Sequence, residues 1–203
     1  MKNYVYYACY GSNLSYNRFM CYIKGGVPEG SAYNFNGAHD KSEPEESFVK
    51  KYKGIVKFAG CSPVWNNGGV CYYNPYSDSE VLFRLYKITY DQFKDIVLQE
   101  NKTDYLNFPK YSDLKNYTNE YVLANLDYGK LLEIDIINNY PVLTFTSPKI
   151  DELILNRPVK PYLLKLIEGL LSNGLKKEVI SSYLSVQHGI EYNYDEIRAM
   201  MED

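Results

Sequence analysis

The chain opens on an unbroken β-prone apolar run over residues 4–9 (Tyr-Val-Tyr-Tyr-Ala-Cys), the pattern of a strand covered on both faces. It stops at Tyr10-Gly11-Ser12-Asn13, after which a short helix is expected over 15–23, capped by Asn13 or Ser15 and closed by Gly25-Gly26 and Pro28. The acidic stretch 39–47, interrupted by Pro44, reads as a mobile loop. Strand patterns return over 54–58, 69–73 and 80–88, and Thr89 with Gln92 forms a capping box opening a helix that runs to about 101. Residues 104–118 are polar and irregular. The stretches 121–126, 131–137 and 142–146 read as antiparallel strands, turned by Asp127-Tyr128-Gly129 and by Asn138-Asn139.

Past Pro148 the period changes from strand to helix. Pro161 stands where a helix begins, Leu163, Leu164, Ile167, Leu170 and Leu171 make an apolar stripe, and Gly174 closes it. A second helix over 177–187 carries Val179, Ile180, Tyr183 and Leu184 and ends at Gly189; a last short one starts near Asp195. This order argues for an α+β fold with a mixed or antiparallel sheet and against a βαβ series. Residues 1–148 are expected to form the main domain, and 149–203 a C-terminal helical extension packed on it.

Composition removes several function classes. With 203 residues, 45% of them hydrophobic, the chain can build a sizeable core. A net charge of −3 and the lack of any Lys/Arg cluster give a nucleic-acid partner no electrostatic support. The 23 Tyr against 8 Phe and one Trp are spread along the chain, not set in a basic stripe, and read as compositional bias. Cys9, Cys21, Cys61 and Cys71 form no CxxC pair, and His39 and His188 stand alone, so no metal site is expected. No basic-then-apolar leader and no run of 18 apolar residues occurs, so the expected setting is the cytoplasm, with reduced thiols and no membrane partner. No pattern specifies an oligomeric state.

Two places carry candidate chemistry. A strand ending in Gly11-Ser12-Asn13 and feeding a helix leaves backbone N–H groups unpaired, a small anion cradle to which Ser12 and Asn13 add side-chain donors. The same residues also suit a plain turn with an N-cap. In the 89–101 helix, Phe93, Ile96 and Val97 form the buried stripe, and Glu100 continues it by one turn. A carboxylate facing the core in the last helical turn has its pKa raised by burial and by the helix dipole, as a general base near neutrality requires. A frayed helix end would instead release Glu100 to solvent.

These residues carry a resemblance. Tyr10-Gly11-Ser12-Asn13-Leu14 after a strand, a Gly-Gly strand near 68–69, a strand ending in Leu85-Tyr86 and a helix ending in Leu98-Gln99-Glu100-Asn101 resemble the γ-glutamylcyclotransferase-like family. Residues 140–146 and 161–174 also look like the C-terminal portion of its bacterial members. The resemblance implies a compact mixed β-barrel flanked by helices, with Glu100 as catalytic acid/base. It also implies substrate contacts from Tyr10, Gly11, Ser12, Asn13, Leu14 and Tyr105. The chain departs from the family pattern in two places. Phe83 stands at a family Gly, where it is expected to narrow the pocket, and Asn101 stands at a Gly, where Asn tolerates positive φ.

The resemblance implies no cofactor and a small γ-glutamyl substrate. Its α-amine attacks its own γ-carbonyl, giving 5-oxoproline and a free amine. Ring closure supplies proximity, so orientation, a base of raised pKa and an oxyanion cradle suffice. Two rivals stand beside this reading. One is a non-catalytic binding protein on the same fold; the other is a hydrolase, disfavoured by the scarcity of His.

Overall fold

The structure, a computed structural model, describes residues 2–28, 33–114 and 120–202. Along the chain lie β1 (Tyr4–Cys9), α1 (Tyr16–Lys24), β2 (Ser47–Lys53), β3 (Ile55–Ser62), β4 (Gly68–Asn74), β5 (Glu80–Thr89) and α2 (Tyr90–Glu100). They are followed by β6 (Glu120–Val122), β7 (Lys130–Ile137), β8 (Tyr140–Thr146), α3 (Lys160–Ser172), α4 (Lys177–Ser185) and α5 (Tyr194–Ala199). The fold is α+β.

Six strands form one mixed sheet in the order β2-β5-β1-β8-β7-β6, with β1 and β8 parallel and every other pair antiparallel. β1 sits in its middle, and residues 5–9 are all buried, which explains its continuous apolar run. The sheet is strongly curled. Lys50 Nζ and Tyr52 Oη on β2 reach Asp135 Oδ2 on β7 at 2.7 and 2.9 Å, although β5, β1 and β8 lie between. In a flat sheet those strands would be about 19 Å apart, at about 4.8 Å per step. Among the described residues no ladder joins β2 to β6, so the expected barrel takes the form of a curled sheet. The β3–β4 ribbon lies against it, and Thr146 Oγ1 donates to Tyr73 O at 2.7 Å.

Several elements differ from their sequence expectation. β2 begins on Ser47, the last residue of the expected loop, and runs through 48–53, where no element was expected because the adjacent Lys50 and Lys51 break its period of two. The preceding segment is not free: Gln92 Nε2 donates to Asp40 O and Ser42 O, and His39 N to Asp95. The strand expected over 121–126 is only Glu120–Val122, since Leu123 N and Ala124 N both turn onto Gly129 O. Part of the irregular stretch 104–118 falls outside the described residues. α4 stops at Ser185, before Gln187, whose side chain instead accepts from Val56 N. The two-residue turn between β7 and β8 is as expected, with Asn138 at φ 51° and Asn139 at φ 65°.

One hydrophobic core joins sheet and helices. α3 contributes Tyr162, Leu163, Leu166, Ile167 and Leu170, α4 contributes Ile180 and Leu184, and α5 contributes Ile197. α3 runs against the segment that follows β1. A Cβ on Gly169 would lie 2.2 Å from the Leu14 carbonyl carbon, so only glycine admits that approach. No helix among the described residues is long and apolar enough to cross a membrane.

Candidate active site

The carboxyl ends of the parallel strands β1 and β8 open into a cavity of about 650 Å³. It is lined by the 10–13 turn, by the β3–β4 ribbon with Trp65, and by the end of α2 with the 125–128 turn.

The turn is built by a 3-10 segment, Ser12–Leu14, between β1 and α1. Leu14 N and Ser15 N fold back on Gly11 O and Ser12 O at 2.9 and 3.2 Å. The N–H groups of Gly11 and Ser12 are left without an acceptor among the described residues. Gly11 has a negative φ of −108°, and a Cβ there would meet Tyr162 Oη at 3.2 Å and Cys71 Cβ at 3.5 Å, a tight fit that asks the tyrosine hydroxyl to give by a few tenths of an ångström. Tyr10 lines the cavity with its ring and anchors its hydroxyl on Phe145 O at 2.7 Å. Leu14 is fully buried and holds the turn down without facing the cavity.

Glu100 ends α2, whose Phe93, Ile96 and Val97 are buried on the sheet as the stripe requires. The residue is half-buried and lines the cavity. Asn13 Nδ2 donates to Glu100 Oε1 at 3.3 Å and to Tyr7 Oη at 3.2 Å, while Asn13 Oδ1 has no donor among the described residues. Tyr22 interacts with the same carboxylate and favours its ionised form. Desolvation raises the Glu100 pKa, opposed by the Tyr22 hydroxyl, the Arg18 charge, the Asn13 amide and Lys102. The carboxyl is thus held as a proton acceptor that is neither ion-paired away nor free in water.

The structure brings Tyr10, Gly11, Ser12, Asn13 and Glu100 together, and leaves out Tyr105. Tyr105 is 76% exposed and lines no part of the cavity, because the chain turns outward after Lys102, at φ 50°. Phe83 does not narrow the pocket either. It is fully buried among Tyr10, Tyr52 and Tyr73 and does not line the cavity. Asn101 needs no positive φ (it has −89°) and works as a clasp: its Nδ2 donates to Tyr128 O at 3.1 Å and its Oδ1 accepts from Tyr128 N at 3.0 Å.

Sequence reasoning missed Arg18, Tyr22, Trp65 and Tyr128. Arg18 and Tyr22 lie one helical turn apart on α1, on its buried face, and a charged residue inside an apolar stripe was a visible signal. Tyr128 stacks on Tyr72 with centroids 5.0 Å apart and donates to Cys71 O at 3.1 Å, a contact no local pattern announces. Among the described residues no three His, Cys, Asp or Glu side chains come together as a metal-binding group.

No protein-family model matches the chain. In sequence it is similar to histone deacetylase 5 of Arabidopsis thaliana, 33% identical over 198 residues, covering 89% of this chain and 30% of that protein. The chain therefore spans under a third of the length of that relative. Among solved structures it is similar to a γ-glutamyl cyclotransferase, with a TM-score of 0.55 at 13% identity, covering 98% of this chain and 99% of the other. It is also similar to an uncharacterized protein from Homo sapiens, with a TM-score of 0.54 at 14% identity and full coverage of both chains. The shared fold is that of the γ-glutamyl cyclotransferases, as the sequence resemblance implied.

Proposed function

We propose that this chain is a γ-glutamylcyclotransferase-type enzyme that closes a γ-glutamyl group to 5-oxoproline and releases an amine. The observation that carries the reading is the Glu100 carboxyl: desolvated, facing the cavity, and held by Asn13 of the very turn whose N–H groups are open.

The substrate's α-ammonium gives a proton to Glu100, and the freed nitrogen attacks the γ-carbonyl carbon. The carbonyl oxygen, now negative, is held by the Gly11 and Ser12 N–H groups, donors that need no reorganisation as charge develops. Glu100 then returns its proton to the leaving nitrogen, the bond from the γ-carbon to that nitrogen breaks and the carbonyl reforms, while the ring nitrogen gives up its second proton to Glu100 and from there to the released amine or solvent, which leaves the carboxylate ionised again. Tyr22 and Asn13 orient the carboxylate throughout. No cofactor takes part in these steps. The partner is a small γ-glutamyl compound, and the four free cysteines suit the reducing cytoplasm.

Residues 149–203 serve this reading as an extension of the 1–148 domain that backs the turn through α3. The match to a segment of a longer protein favours a second reading, a binding module that keeps the cavity without turnover. A panel of γ-glutamyl amino acids, amines and peptides, assayed for 5-oxoproline, separates the two. Release from at least one member is expected, and tight binding without release across the panel would select the module.

A further inference from the structure

Arg18 is a buried cation with no anion. It is 7% exposed and lines the cavity, and among the described residues no carboxylate stands at ion-pairing distance from it. The guanidinium lies 5.0 Å from the Trp65 ring centroid and 5.7 Å from that of Phe35. Its Nε donates to Ser12 Oγ at 2.8 Å, and its charge acts on the Tyr22 hydroxyl. A guanidinium has five donors, so these two contacts leave most of them unspent. Among the described residues none of its nitrogens is buried without a partner, so the remaining donors keep solvent access, and the side chain lines the cavity. Two aromatic rings hold the fork flat and fixed, the preparation that suits a planar, bidentate carboxylate.

Arg18, Tyr22 and Glu100 line the same cavity, and Tyr22 interacts electrostatically with both charged groups. A cation and a carboxylate on the wall of one cavity, with a phenol in reach of both, match the two charges that an α-amino acid carries on a single carbon. We propose that Arg18 is the receptor for the substrate's α-carboxylate, so that the enzyme requires a free α-amino-acid head and reads it as a zwitterion across Arg18 and Glu100. This rests on the cyclotransferase reading and deepens it: the turn is left to the oxyanion, and Arg18 fixes which nitrogen faces Glu100. The bulk of the cavity then lies with the leaving amine.

The test compares a γ-glutamyl amide with its 4-aminobutanoyl counterpart, which forms the same ring and breaks the same bond but lacks the carboxylate. Wild type should prefer the carboxylated substrate by on the order of a hundredfold or more in kcat/KM, the usual worth of a desolvated charge-assisted pair. Arg18→Met keeps a straight stem between Trp65 and Phe35. It should lose most of that preference, falling much further on the γ-glutamyl substrate than on the other, where only the lost Arg18 support of Glu100 and Ser12 is felt. Arg18→Lys, which keeps the charge without the fork and guards against a folding defect in the first variant, should fall between. Equal losses on both substrates, or a preference that survives in both variants, would overturn the assignment.

Calorimetry with 5-oxoproline and 2-pyrrolidinone separates this proposal from the reaction it builds on. If wild type turns over neither substrate yet binds 5-oxoproline in an Arg18-dependent way, the receptor stands and the cyclotransferase reading falls. If wild type binds 2-pyrrolidinone as tightly as 5-oxoproline, the receptor falls.

Discussion

Gly169→Ala sets two magnitudes against each other at the contact that fixes the turn. In an exposed helix the change would stabilise by about 1 kcal/mol. Here the added Cβ would stand 2.2 Å from Leu14 C, 2.4 Å from Leu14 O and 2.5 Å from Ser15 N, where ordinary contact begins at 3.4 Å. The peptide between Leu14 and Ser15 must therefore retreat by roughly 1 Å or α3 must lift. Overpacking typically costs about 1–3 kcal/mol, and a clash against backbone, which has no rotamer to change, belongs at the upper end. The clash exceeds the propensity gain by about 2 kcal/mol, and at about 2–4 °C per kcal/mol for a chain of this size Tm should fall by about 4–8 °C. A displacement of that size next to Gly11 and Ser12 should also lower turnover on the order of a hundredfold. Thermal unfolding and steady-state 5-oxoproline release read the two effects. A raised Tm with unchanged turnover would show that helix propensity dominates and that α3 does not brace the site.

Three further outcomes are expected. Glu133 on β7 is 2% exposed, neither of its carboxylate oxygens has a partner among the described residues, and desolvation pushes its pKa from 4.5 up to about 7. The folded state thus holds this proton longer than the unfolded chain, so stability should fall as pH climbs from about 4.5 to about 7, by at most about 3 kcal/mol. Glu133→Gln should flatten that slope in urea titrations at pH 5 and pH 8, and an unchanged slope would refute the account of this residue. Tyr22→Phe removes a hydroxyl that favours the ionised Glu100, so the acid limb of the pH–rate profile should move to higher pH; a shift the other way would contradict the orienting role. Cutting the chain after Pro148 exposes the core face that Tyr162, Leu163, Leu166 and Leu170 cover, and the product should aggregate; a soluble, active truncation would make residues 149–203 a separate module.

Much of the fold was legible because its elements announce themselves locally. The capping box Thr89–Gln92, the Asn138-Asn139 turn and the Pro161 helix start all stand where their chemistry places them. What the sequence concealed depends on neighbours distant along the chain. β2 has adjacent lysines because one of them, Lys50, pairs with Asp135 across the curl of the sheet, a partner no local window contains. Phe83 marks a departure from the resembling family, yet its ring is absorbed by Tyr10, Tyr52 and Tyr73. Glu100 was found because a charge sat in an apolar helical stripe. The same test on α1 would have found Arg18, buried beside Phe19, Tyr22 and Ile23. Tyr105 was taken from resemblance alone, and the outward turn at Lys102 removes it from the cavity.

The central claim is that Glu100 moves the proton in a ring closure on a γ-glutamyl group. Glu100→Gln keeps the shape and the hydrogen-bonding capacity toward Asn13 and Tyr22 but removes the proton acceptor. Single-turnover 5-oxoproline release should drop by roughly 10²–10⁴. Binding of a non-cleavable γ-glutamyl analogue should hold, and Tm should hold or rise because a desolvated carboxyl has been neutralised. Wild-type turnover should climb with pH through one ionisation lying above the ordinary carboxylate range. Unchanged turnover in Glu100→Gln would contradict the mechanism, and analogue binding with no 5-oxoproline from either protein would leave the cavity a binding site without a reaction.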